Sequence, residues 1–256
     1  MMEADTLERL RRALAETKAL EENARVPLGH DDADAGLKGG LFRGALHEIF
    51  AVPGHEGAAC GFAAAAAFRL AGKKRVLWIQ QEFAAAEFGR LSATGLLELG
   101  LDPAQLLLLR VGDGVEALRA ASDALGCAAL GAVVIEITGE PKAIDLVASR
   151  RLTLGAAEKG VAALLLRLHA GPQASTAETR WRIRAFSPPE NENWGRPAYE
   201  AELLRNRHGN PGRWVMEWNG DDGVFQEAGA PDSRLVVSAP GDRPSAAALE
   251  KARCVA

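Results

Sequence analysis

Five short, mostly apolar runs recur through the middle of the chain, at residues 45–50, 75–80, 106–111, 131–137 and 161–168. Stretches with helical spacing separate them, at 58–71, 84–99, 114–126 and 142–159. Within each run the apolar residues follow one another instead of alternating with polar ones, which marks strands buried on both faces. Strands of this kind, alternating with helices, predict an α/β fold: a mostly parallel central sheet flanked by helices. After Ala170 the texture changes. Residues 180–185, 199–207 and 213–218 read as antiparallel strands, the last two joined through a turn at 208–212.

The flanks read differently. Leu7, Leu10, Leu14 and Leu20 recur among charges and predict an amphipathic helix over 4–22 that either caps its own core or docks on a partner. Gly29, Gly36, Gly39 and Gly40, mixed with Asp31, Asp32 and Asp34, predict a loop. From about 229 the chain is rich in Pro, Ala, Ser and Asp, with little to bury, and predicts a flexible tail. The expected division is an N-terminal helix and linker at 1–36, a core domain at 37–220 and a C-terminal tail at 221–256.

A chain of 256 residues with 48% hydrophobic and 25% charged residues has enough apolar material for one large core. Its net charge of −4 argues against a surface that seeks nucleic acid everywhere, though not against a local basic patch. Cys60, Cys127 and Cys254 lie far apart without zinc-ligand or disulfide spacing, so neither a metal site nor a disulfide framework is expected and a reducing, cytoplasmic setting is. No cofactor is expected either, from the loop at residues 54–62. Met1 to Glu21 mixes acids and bases, unlike a signal or transit peptide. No apolar run is long enough to span a bilayer.

In such a fold the turn from the first strand into the first helix is where a triphosphate is held. A working loop needs glycines that expose backbone N–H groups, a lysine for the β- and γ-phosphates, and a hydroxyl for magnesium. Here residues 54–62 read Gly-His-Glu-Gly-Ala-Ala-Cys-Gly-Phe. Gly54, Gly57 and Gly61 are present. Neither lysine nor arginine occurs between Arg43 and Arg69, no Ser or Thr stands in the loop, and Glu56 would face a polyphosphate. ATP hydrolysis is therefore not expected, while weak nucleotide binding through the loop amides stays open. Glu82 after the second strand and Glu136 near the end of the fourth occupy the positions of a general base and a metal-binding carboxylate; otherwise they are solvated acids at strand ends.

Several segments resemble a known family. Leu37-Lys-Gly-Gly-Leu-Phe-Arg-Gly-Ala-Leu-His-Glu-Ile49 looks like the entry to a RecA-type core, and Gly100-Leu-Asp-Pro-Ala-Gln-Leu-Leu107 like the loop into its third strand. Together with Leu146–Leu152, Thr179–Ile183, Glu202–Arg207, Pro211–Trp214 and Glu217-Trp218, they resemble the ImuA family, RecA-like accessory proteins of a bacterial damage-induced mutagenesis cassette. The likeness covers about residues 37–220. It implies a non-catalytic adaptor in SOS-induced DNA repair and error-prone translesion synthesis, acting with an ImuB-type Y-family polymerase homologue and an error-prone C-family DNA polymerase. It also implies a degenerate phosphate loop and a partner contact toward the C-terminal part.

Arg205 and Arg207 resemble the basic pair that reaches a neighbouring subunit's nucleotide in RecA-type filaments. Segment 170–180 stands where those proteins carry a DNA-binding loop; it is short, with one arginine at its end, which argues against filaments on single-stranded DNA. Arg180, Arg182 and Arg184 alternate with Trp181 and Ile183, so one face of a strand carries three arginines. With Arg205, Arg207, Arg213 and nearby Trp194 and Trp214, that strip reads either as a contact for single-stranded DNA or a partner, or as a solvated face with its tryptophans in the core. Two other function classes stand beside the adaptor: a divergent DNA-dependent ATPase or recombinase of the RecA type, and a regulator that binds a signalling or cell-division protein without touching DNA.

Overall fold

A computed structural model describes residues 24–186 and 195–228. Among the described residues nine strands form one sheet in the order β11-β10-β9-β8-β3-β7-β6-β4-β5. The strands are β3 (Leu46–Ala51), β4 (Arg75–Gln81), β5 (Leu106–Val111), β6 (Leu130–Thr138), β7 (Ala162–Leu168), β8 (Thr179–Phe186), β9 (Ala198–Asn206), β10 (Gly212–Asn219) and β11 (Val224–Glu227). From β8 to β5 every pairing is parallel. From β8 outward through β9 and β10 to β11 every pairing is antiparallel. A two-stranded ribbon, β1 (Arg25–Val26) with β2 (Leu41–Phe42), stands apart from the sheet. The molecule is thus α/β with a large, mostly parallel mixed sheet, an architecture compatible with a RecA-like fold.

In β3, β4, β6 and β7 the continuous apolar runs are explained by two buried faces. Strand β5, at the edge of the sheet, instead leaves Leu107, Leu108 and Leu109 exposed, against the expectation of a strand buried on both faces. Trp78, Val134 and Leu164 pack toward α2 (Glu56–Ala71), while Ile79, Val133 and Leu165 pack toward α5 (Gly114–Leu125) and α6 (Leu146–Lys159). Helix α2 is half alanine, with Ala63 to Ala67 uninterrupted, so its backbone lies close to the sheet. Gly131 belongs to that fit, because a Cβ there would run into Ala71. Asp113 and Asp145 cap α5 and α6 by accepting backbone N–H bonds at 2.8–2.9 Å.

Apart from β5, the secondary structure departs from the sequence reading in three places. Residues 31–36 form α1 (Asp31–Gly36), capped by the His30 ring, where a loop was expected. The helix expected over 84–99 is two short ones, α3 (Glu82–Glu87) and α4 (Ala93–Glu98), broken at Gly89 with φ 97° and restarted by the Ser92 cap. The sheet also continues past residue 220, through β11. The expected helix at 4–22, Trp194, Cys254 and the tail from 229 lie outside the described residues. Among the described residues no helix is long and apolar enough to cross a membrane.

Candidate functional site

The turn between β3 and α2 lies at the carboxyl edge of the parallel strands, where α/β sheets bind ligands. Gly54 adopts φ 83°, a left-handed turn with open space around its α-carbon. The anion facing this loop comes from the chain itself. Glu56 Oε1 accepts the Gly54 N–H at 3.0 Å and pairs with His169 Nε2 at 2.8 Å. His169 follows β7 in a left-handed conformation, φ 51°, its ring edge-on to Phe88 at 5.0 Å. Burial pushes the Glu56 carboxyl up, but backbone N–H groups of Glu56 and Gly54 and the His169 contact outweigh it and hold it below its ordinary value. A carboxylate at the N-terminus of a sixteen-residue helix also answers the helix dipole.

The loop is fastened to β8 as well. Val52 donates to Ile183 at 3.0 Å, and His55 Nδ1 accepts the Ala185 N–H at 3.2 Å. Of the three loop glycines, Gly54 shapes the turn, Gly57 lies exposed in the first turn of α2, and Gly61 lies within α2 under Tyr199. A Cβ at Gly61 would stand 2.8 Å from the Tyr199 hydroxyl, so this glycine makes room for an aromatic.

The two acids separate. Glu82 opens α3 and is exposed. Glu136 is 1% exposed, which corrects its reading as a solvated acid. It accepts the Trp78 indole N–H at 2.7 Å and the Gln80 amide at 3.2 Å on each oxygen, and burial raises its carboxyl above the ordinary value despite those bonds.

The arginine strip forms as its alternation predicts, with Trp181 and Ile183 buried behind it. What the sequence reading missed is the acid ladder opposite. Pairing places Arg182 and Arg213 across from Glu202, and Arg184 across from Glu200. Arg182 meets Glu202 at 2.6 Å, Arg184 approaches Glu200 at 4.0 Å, and Arg213 also pairs with Glu200. The alternation of Glu200 and Glu202 along the strand was the available signal. Trp214 packs against Trp181, with ring centres 6.1 Å apart, on the face away from these arginines.

Further in, Arg180 donates to the buried Glu48 at 2.8 Å and to Ser175 at 2.9 Å. Arg205 donates to the Ser175 carbonyl at 2.8 Å, while Arg207 is exposed. Arg167, inside the apolar β7 and not singled out by sequence, is 1% exposed and shares the Phe50 ring with Arg180, each 5.8 Å from its centre. A groove of about 450 Å³ runs along this region, lined by Phe50, Arg182, Arg184, Glu200, Glu202 and Arg213. Among the described residues no cluster of three or more His, Cys, Asp or Glu is placed to hold a metal.

The chain is 33% identical over 189 residues to "Protein ImuA" of Caulobacter vibrioides strain NA1000 / CB15N, covering 68% of this chain and 70% of that protein. The same protein of strain ATCC 19089 / CIP 103742 / CB 15 matches to the same extent. No protein-family model matches. An identity of this size over most of both chains, on a compatible fold, places the sequence: the chain belongs to the ImuA family.

Proposed function

We propose that this chain is a non-hydrolysing adaptor of SOS-induced, error-prone translesion synthesis, joining an ImuB-type Y-family polymerase homologue and an error-prone C-family polymerase at damaged DNA. The observation that carries this reading is the Glu56–Gly54–His169 arrangement. The position that would receive a phosphate holds a carboxylate of the chain, with no lysine or hydroxyl beside it. A protein without that chemistry acts through what it holds together.

The strip of Arg180, Arg182, Arg184, Arg205, Arg207 and Arg213 is the proposed contact surface. Its interleaved acids leave few uncompensated cations, which suits a protein partner of matching mixed charge better than a phosphate backbone. Co-purification of the full chain with the ImuB-type protein, with and without Arg182→Glu, tests the reading. Capture by the wild type and at least a tenfold loss in the variant are expected. ATP-dependent phosphate release on single-stranded DNA, or capture indifferent to the substitution, would overturn the adaptor or its surface respectively.

A further inference from the structure

A groove of about 610 Å³ runs between α5 and α6 on the side away from the sheet. Leu118 and the buried Leu152 form its floor, and Val115, Arg119, Val147 and Arg151 stand exposed along its rims. Val147 and, further along α6, Leu154 are 57% and 62% exposed. Valine and leucine side chains this open on neighbouring helices mark an apolar face without its cover among the described residues. Neither Arg119 nor Arg151 has an ion-pair partner among the described residues either.

The chain supplies a cover of the right kind. Residues 4–22 lie outside the described residues, and their sequence predicts an amphipathic helix. Leu7, Leu10 and Leu14 fall at i, i+3 and i+7, on one face of it. Glu8 and Arg11 flank that stripe, so it brings both signs of charge to rims that carry Arg119, Arg151 and, beside them, Asp123.

The point of entry decides what this segment can reach. Ala24, the first described residue, accepts the Arg43 N–H at 2.8 Å. The neighbour of Arg43, Gly44, sits against the C-terminal end of α6. A Cβ there would stand 3.1 Å from the Gly160 α-carbon and 3.2 Å from the Ala156 carbonyl oxygen. At 1.5 Å per residue a helix over 4–22 spans about 28 Å, while Val147 lies about 18 Å along α6 from Lys159. The segment is therefore long enough to run the groove from that end. The exposed leucines of β5 fit it less well. They stand four strands away from β3, into which Gly44 leads, and on a strand edge rather than between two helices.

We propose that residues 4–22 dock as a helix in the α5–α6 groove of their own chain, turning Leu7, Leu10 and Leu14 onto Leu118, Val147 and Leu152. The predicted helix then caps its own core and does not dock on a partner. The proposal is independent of the adaptor reading, because neither the phosphate loop nor the arginine strip takes part in it.

Amide hydrogen exchange of the full chain, read by NMR, tests it. In the wild type the amides of residues 7–20 are expected to exchange at least about tenfold more slowly than in an unstructured chain, and equally so after dilution. The double variant Val115→Asp and Val147→Asp changes two exposed residues in the first turns of α5 and α6, where an acid suits the helix dipole. It should keep the protection of β6 and β7 and lose that of residues 7–20. Leu10→Asp, placed in the segment itself, should do the same. Unprotected amides in the wild type, or protection that survives the double variant, would overturn the proposal. So would protection that falls on dilution, which would mean that a second copy supplies the groove.

Discussion

The parallel and antiparallel halves of this sheet handle charge in opposite ways. At the parallel carboxyl edge charge is turned inward: Glu56 caps its own loop through Gly54 and His169, and Glu136 is buried under α2. In the antiparallel half charge is turned outward, with arginines and glutamates alternating across β8, β9 and β10. In the first arrangement the chain's own carboxylate faces the loop at the edge where α/β sheets commonly bind ligands. The second leaves an open, patterned face. The comparison teaches that one sheet can meet its charges within the chain at one edge while its extension displays paired charges on an open face.

The seam between the halves carries the largest expected effect. Glu48 on β3 is 3% exposed and pairs with Arg180 on β8, and it also stabilises the charge on buried Arg167. Glu48→Ala strands both cations and should cost about 3–5 kcal/mol, read from urea unfolding. A loss below about 1 kcal/mol would mean the halves are not joined by this cluster.

Reversal in the outward ladder comes next. Arg182→Glu sets like charges opposite each other at Glu202 and should cost about 0.2–1 kcal/mol. The double variant with Glu202→Arg should recover most of it. Failure to recover would show that the ladder's pairing is not what Arg182 contributes.

A smaller, pH-dependent effect belongs to the inward half. The folded Glu56 carboxyl lies below its ordinary value. Its contribution is therefore present above the unfolded pKa and lost as pH falls through the folded one. Glu56→Gln should remove that contribution, under about 1 kcal/mol at neutral pH, and flatten the acid side of the stability curve. Equal acid profiles for the two proteins would break the Glu56–His169 account. The smallest effect is expected at exposed Arg207, where Ala should change stability by less than about 0.5 kcal/mol.

The parallel half was legible in sequence because strands buried on both faces leave unbroken apolar runs; β6 and β7 are buried along almost their whole length. Helix α1 was not, since its cap is an imidazole, His30, outside the usual Ser, Thr, Asp and Asn set. The break between α3 and α4 hung on the positive φ of Gly89, and a lone glycine in a helical pattern does not announce its conformation. At the site, the missing lysine is a local fact and could be read directly. The partner of Glu56 lies 113 residues away, and the pairing of Glu202 with Arg182 depends on strand register, so both waited for the fold.

Thermal unfolding of the full chain with and without millimolar magnesium-ATP tests the closed edge most directly. A ligand at about 100 times its dissociation constant adds roughly 2.7 kcal/mol, an easily seen rise in midpoint. The account predicts an unchanged midpoint and no phosphate released on single-stranded DNA. A raised midpoint, with phosphate release abolished by Glu82→Gln, would contradict it and restore a working nucleotide site at the carboxyl edge of the sheet.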